Sequence, residues 1–130
     1  MARWADVKDL VRRTHTLDVD EDDEFAVTLE RRDGDAVRAQ RIMVSRYQAF
    51  GQTMIEYRSA FGDVDEYDLK ELLVESLRLP IGSVALHGRY LVLVQKDCLD
   101  DITEEAAVRM LTRVSLLADV LEGRTGGDKF

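Results

Sequence analysis

Apolar side chains recur at three- and four-residue steps through Ala107, Met110, Leu111, Val114, Leu117, Ala118 and Leu121. The spacing predicts one long amphipathic helix over Thr103 to Glu122. Burying that stripe takes an apolar surface of similar length, and each fully buried large aliphatic side chain contributes roughly 1.5–3 kcal/mol. Asp101, with Glu104 three positions later, resembles a capping box for this helix. Near the start, Trp4, Val7, Leu10 and Val11 repeat at the same spacing and predict a short helix from Arg3 to Thr14.

Between the two helices the period changes. Phe25, Val27 and Leu29 alternate with polar or small residues, as in a half-buried strand. Asp33-Gly34 supplies a hairpin turn, and the return strand runs from about Val37 to Tyr47. Ile42, Met43 and Val44 are apolar in succession there, which requires either a bulge near Arg41 or cover on both faces. A loop through Gln48 to Gln52 leads to a third strand, Met54 to Phe61, and Gly62 to Glu66 breaks it. Asp68 caps a helix carrying Leu69, Leu72, Leu73 and Leu77, and Pro80 and Gly82 end it. Val84 to His87 and Arg89 to Lys96 form a second hairpin around Gly88. The order α-βββ-α-ββ-α predicts an α+β fold with a five-stranded antiparallel sheet. Residues 1–122 make one domain, followed by a flexible C-terminal tail over 123–130.

One strand departs from alternation altogether. Leu91-Val92-Leu93-Val94 is apolar at every position, so both of its faces need cover. Helices packed on one side of a small sheet supply only one cover. The second would be the middle helix folded over, another copy of the subunit, or a bound polypeptide. The segment Leu69 to Leu79 is also leucine-rich beyond one stripe, with Val74 and Leu79 off it. Together these point to a dimer or partner interface.

Composition narrows the class. The 130 residues are 45% hydrophobic and 34% charged, which suits a globular chain able to bury a core without disulfides or metal. A single cysteine, Cys98, rules out an internal disulfide and favours a reducing compartment. No signal-peptide core or membrane-length apolar run is present, so the expected location is the cytoplasm. Net charge −8 opposes non-specific attraction to nucleic acid or anionic membrane, and neither is expected as a partner.

The residues offer no catalytic constellation. His15, His87 and Cys98 lie in separate segments, and a Cys–His pair would need the fold to bring them together. Metal-ligand spacing is missing. The acidic connector Leu17 to Glu24 fails the calcium-loop pattern, with Asp23 where glycine belongs and Leu29 where a carboxylate belongs. Asp97, Asp100 and Asp101 are explained by helix capping. Gly123 to Lys129 has Asp128 where a phosphate loop needs glycine before lysine. The expectation is therefore no catalytic residues, no cofactor and no metal. Against the acidic trend, Arg31, Arg32, Arg38, Arg41, Arg46 and Arg58 lie along the meander. They either grip a partner's carboxylates or pair across strands with Glu30 and Glu56.

The whole order of elements resembles the type III secretion chaperone fold, the Tir-chaperone-like group, and more closely its YbjN-like branch. The resemblance is sharpest at Trp4-Ala5-Asp6-Val7, at Asp68-Leu69-Lys70-Glu71-Leu72-Leu73, and at Ala118-Asp119-Val120-Leu121-Glu122 with Gly127-Asp128 beyond. It implies a non-enzymatic homodimer of chaperone or adaptor type that binds extended protein segments on apolar surfaces, its protein partner unidentified. It also implies subunit contacts at Leu69, Leu72, Leu73, Leu77, Leu91 and Leu93. Ile42, Val44, Ile55 and Tyr57 are candidates for partner contact or core, with Arg38 and Arg46 as candidate grips. The alternatives are a small-ligand binder or enzyme with a pocket between helix and sheet, and a regulator of another protein's stability.

Overall fold

Three helices lie against one face of an antiparallel sheet whose other face is open. The computed structural model describes residues 1–125. In chain order the elements are α1 (Trp4–Arg12), β1 (Leu17–Glu21), β2 (Glu24–Asp33), β3 (Ala36–Ala49), β4 (Gln52–Asp63), α2 (Leu69–Ser76), β5 (Ser83–His87), β6 (Tyr90–Cys98) and α3 (Glu104–Glu122). Short 3₁₀ turns fall at Val64–Glu66, Leu99–Asp101 and Gly123–Thr125. The α+β class and antiparallel sheet agree with the pattern, but the sheet has six strands, ordered β1-β2-β3-β4-β6-β5, not five.

The sixth strand is the acidic connector. Leu17 and Val19 alternate with Asp18 and Asp20, and they pair with Val27 and Ala26 across a bulge. The acids find partners: Thr28 donates to Asp18 at 2.7 Å, and Lys8 Nζ lies 3.1 Å from Asp20. The β2–β3 register runs unbroken from Glu24↔Ser45 to Asp33↔Ala36, so the bulge expected near Arg41 is not there. It sits in β4 instead, between Ala60 and Gly62. Gln48 to Gln52 is no long loop, because Phe50 and Gly51 both adopt positive φ (54° and 71°) and close β3–β4 directly. Such a pair of left-handed residues matches the twist of the flanking strands.

Trp4, Val7 and Val11 of α1 meet Ala107, Leu111, Val114, Ala118 and Leu121 of α3 over the sheet. The cap of α3 is Thr103, whose side chain accepts from the Ala106 amide at 3.1 Å, and not Asp101, which belongs to the preceding 3₁₀ turn. Asp68 caps α2 as its position suggested, accepting from the Glu71 amide at 3.2 Å. Gly123–Thr125 of the expected tail form a turn, and Arg124 pairs with Glu75. The remainder of that tail, 126–130, lies outside the described residues. No helix among the described residues is long and apolar enough to cross a membrane.

Candidate protein-interaction surface

Large aliphatic side chains left in solvent are concentrated on α2 and the second half of α3. Among the residues of α2 only Leu72 is buried. Leu69, Leu73, Val74 and Leu77 are exposed, Leu77 at 91%. Their three- and four-residue spacing puts them on one side of the helix. On α3, Leu116 and Val120 are exposed one turn apart. Pro80 and Ile81, from the connection after α2, join Leu116, Leu117 and Val120 to line an open groove of about 480 Å³ with Arg113 at its edge.

Polar ties fix α2 in this attitude. Tyr67, just before it, donates to the Leu121 carbonyl at 2.7 Å, and Ser76 Oγ accepts from the Val84 amide at 2.9 Å. Glu75 takes the ion pair with Arg124. These contacts use the side of α2 turned to the body of the protein and leave the leucine side free.

The structure divides the expected contact residues. Leu69, Leu73 and Leu77 are exposed, whereas Leu72, Leu91 and Leu93 are buried within the subunit. The last two face the helices, since alternate residues of a strand point to opposite sides, so they are core and not a subunit contact. Ile42, Val44, Ile55 and Tyr57 are completely buried in the same core and cannot touch a partner. Arg38 and Arg46 are engaged inside the subunit. Arg38 Nε lies 2.7 Å from Asp119 on α3, and its Nη2 is 3.7 Å from Glu122. Arg46 pairs with Asp23 at 2.8 Å and lies over the Trp4 ring. The cross-strand pairing expected with Glu30 is likewise replaced, since Arg31 also reaches Asp119. Arg58 does pair with Glu56, at 3.4 Å along its own strand.

Leu116 and Val120 escaped the pattern reading. Their signal was present as doublets: Leu116 beside Leu117 and Val120 beside Leu121 widen the apolar arc beyond what one sheet face can cover.

Under the helices, a cavity of about 230 Å³ between α3 and the sheet is lined by Arg31, Arg38, Gln40 and Asp119 among others. Its cations and carboxylate already neutralise one another, and it is smaller than sites that enclose metabolites, which run about 300–1,000 Å³. Two buried polar atoms, Gln40 Oε1 on this cavity and the Tyr57 hydroxyl elsewhere in the core, have no hydrogen-bond partner among the described residues. Burial, and secondarily the charge of Asp97, pushes the Tyr57 hydroxyl pKa well up, so it stays protonated. Cys98 is a half-buried free thiol, and the His15 ring is taken up by Thr14 at 2.8 Å. The described residues contain no group of three or more His, Cys, Asp or Glu placed to hold a metal.

No protein-family model matches the chain, and no curated protein matches it. The resemblance to the secretion chaperones rests on the residues quoted for it, and the surface is read from its own chemistry.

Proposed function

We propose that this chain is a non-enzymatic protein-binding module of chaperone or adaptor type that works as a homodimer joined through α2 and α3. One observation carries the reading: Leu69, Leu73, Val74 and Leu77 stand in solvent on a helix that buries a single leucine. Contiguous apolar surface of this kind marks association sites on proteins that otherwise bury their aliphatic residues. An apolar groove, at Pro80 and Ile81 just after the helix and Leu116 and Val120 of α3, adds to this exposed apolar surface.

A second copy fits the strip better than an unrelated partner. A two-fold interface sets one patch against itself, so its rim must carry both charge signs to avoid repulsion. Exposed Lys70, Arg78 and Arg113 flank the strip together with exposed Glu71. Standard interfaces bury about 800 Å² on each partner, for which two helical faces and the connecting loop offer suitable ground. Sedimentation velocity on the wild type and on Leu73→Asp tests this. The reading requires a dimer that the substitution dissociates while the fold is retained.

A further inference from the structure

The sheet's open face carries a different chemistry. Val92 and Val94 point away from the helices, because their neighbours Leu91 and Leu93 point into the core. The middle helix does not fold over to cover them, for Leu72 belongs to the core on the other side. Two open grooves of about 490 and 520 Å³ lie on this face and share Arg58, His87 and Val92, forming one trough. In the first of them the floor is Met43, Ala60 and Val92, the walls carry Arg41, Arg58 and His87, and no carboxylate lines it. The second groove is lined by Glu56, which pairs with Arg58 at 3.4 Å and with Lys96 at 3.8 Å. Across the trough one carboxylate thus stands against Arg41, Arg58 and Lys96, a cationic balance on a chain of net charge −8. Arg41 is exposed, with no carboxylate within ion-pair distance among the described residues.

We infer that this trough binds an extended acidic polypeptide segment, one that alternates carboxylate and small apolar side chains. This deepens the protein-binding reading by naming the partner's chemistry, and it uses a face other than the proposed dimer surface. Alternation matters because an extended chain presents every second side chain to the same side. Val92 is 4% exposed and covered by its neighbours, so apolar groups would meet the half-buried Met43 and Val94. Carboxylates would reach Arg41 and compete with Glu56 for Arg58, guanidinium groups that favour planar bidentate pairing. The trough crosses β2, β3, β4, β6 and β5. Strands about 4.8 Å apart make that roughly 19 Å, the reach of about six extended residues. Metabolite sites bury 70–90% or more of their ligand, whereas this one lies open along its length, with Arg41, His87 and Tyr90 exposed.

The test uses a short tetramethylrhodamine-labelled peptide of alternating valine and glutamate, and a matched peptide with lysine for glutamate. Fluorescence anisotropy on the full chain is read at about 0.05 M and about 0.2 M salt, because exposed charge pairs are screened over this range. The acidic peptide should bind at least tenfold more tightly than the basic one and weaken with salt. Arg41→Glu and Arg58→Glu should each cost about tenfold, with Arg41→Lys intermediate because it keeps the charge and loses the bidentate fork, and circular dichroism unchanged. Equal binding of the two peptides, no binding of either, or unaffected Arg41→Glu and Arg58→Glu variants would overturn the inference. So would saturation by octanoate without peptide binding, which would make the trough a small-anion site. Dimer dissociation by Arg58→Glu but not by Leu73→Asp would mean that a second copy covers this face. The wild-type sedimentation separates the two readings: a wild-type single chain that binds the acidic peptide keeps the trough and sinks the dimer, and a wild-type dimer without acidic preference does the reverse.

Discussion

Arg38 on β3 and Asp119 on α3 lie 81 positions apart in the chain and 2.7 Å apart in space, guanidinium Nε to carboxylate Oδ1. With Arg31 as a second donor to the same carboxylate, the pair locks the long helix to the sheet at the end away from its cap. Asp119 is 5% exposed and Arg38 21%, so removing the acid takes the 2.7 Å partner from a partly dehydrated cation that keeps its longer contact to Glu122 at 3.7 Å. Asp119→Ala should destabilise the protein by about 2–3 kcal/mol, less than for a fully buried pair because Arg38 can regain some water. Urea unfolding followed by the fluorescence of the single tryptophan, Trp4, measures it.

The same carboxylate gives a pH signature. Burial pushes the Asp119 pKa up, but hydrogen bonds from Arg31 and Arg38, with their charges, more than offset this and hold it below its ordinary 3.8. A folded-state pKa under the unfolded one means that the contribution is fully present above about pH 4 and is lost as pH falls through the folded value. Asp119→Asn should flatten the stability profile below pH 4 and leave its slope at neutral pH unchanged. An identical acid limb in wild type and variant would contradict the assignment.

Capping of α3 separates two residues two positions apart. Thr103→Ala should cost about 1 kcal/mol, because the Ala106 amide loses its acceptor. Asp101→Ala should change stability by less than about 0.5 kcal/mol. The reverse order would restore the capping box that the sequence alone suggested.

Tyr57→Phe removes a buried hydroxyl that has no hydrogen-bond partner among the described residues. An unsatisfied buried polar group costs about 1–3 kcal/mol, so the variant should match or exceed wild-type stability. A loss of more than about 1 kcal/mol in thermal or urea unfolding would mean that the hydroxyl is satisfied in solution.

Leu93 and Leu73 looked equivalent in sequence and differ in the fold. Leu93 is fully buried and Leu73 is 61% exposed. Leu93→Ala should cost about 2–5 kcal/mol through lost burial and the cavity it leaves. Leu73→Ala should move the unfolding free energy of the subunit by no more than about 0.5 kcal/mol. Equal losses would mean that the core and the surface have been confused.

What could be read without coordinates followed from local chemistry. The period of α3, the strand character of β2 and the Asp68 cap all express rules that operate within a few residues and agree with the structure. The half-buried alternation read for β2, however, gives way to Phe25, Ala26 and Val27 buried in succession. The misreadings needed knowledge of which face meets what. Leu91 to Val94 showed that both sides of β6 were apolar but not which side the helices would take. Ile42, Val44, Ile55 and Tyr57 satisfied the pattern for contact or for core equally well, and only the pairing of β3 with β4 under α3 decided it. β1 stayed hidden because its acids resembled a solvated connector, while the partners that tether them, Lys8, Arg12 and Thr28, come from two other elements. The exposed leucines of α2 were visible as an excess of apolar residues, and the fold then showed which of them the core leaves out.

The central claim is that the α2–α3 strip is covered by a second copy of the chain. Sedimentation velocity of the wild-type protein across the micromolar range addresses it most directly. The account predicts a species of twice the chain mass that Leu73→Asp, at unchanged circular dichroism, converts to single chains with at least a tenfold weaker dissociation constant. A wild-type protein that sediments as a single chain up to about 100 µM would contradict it, since a specific interface of standard size holds well below that concentration.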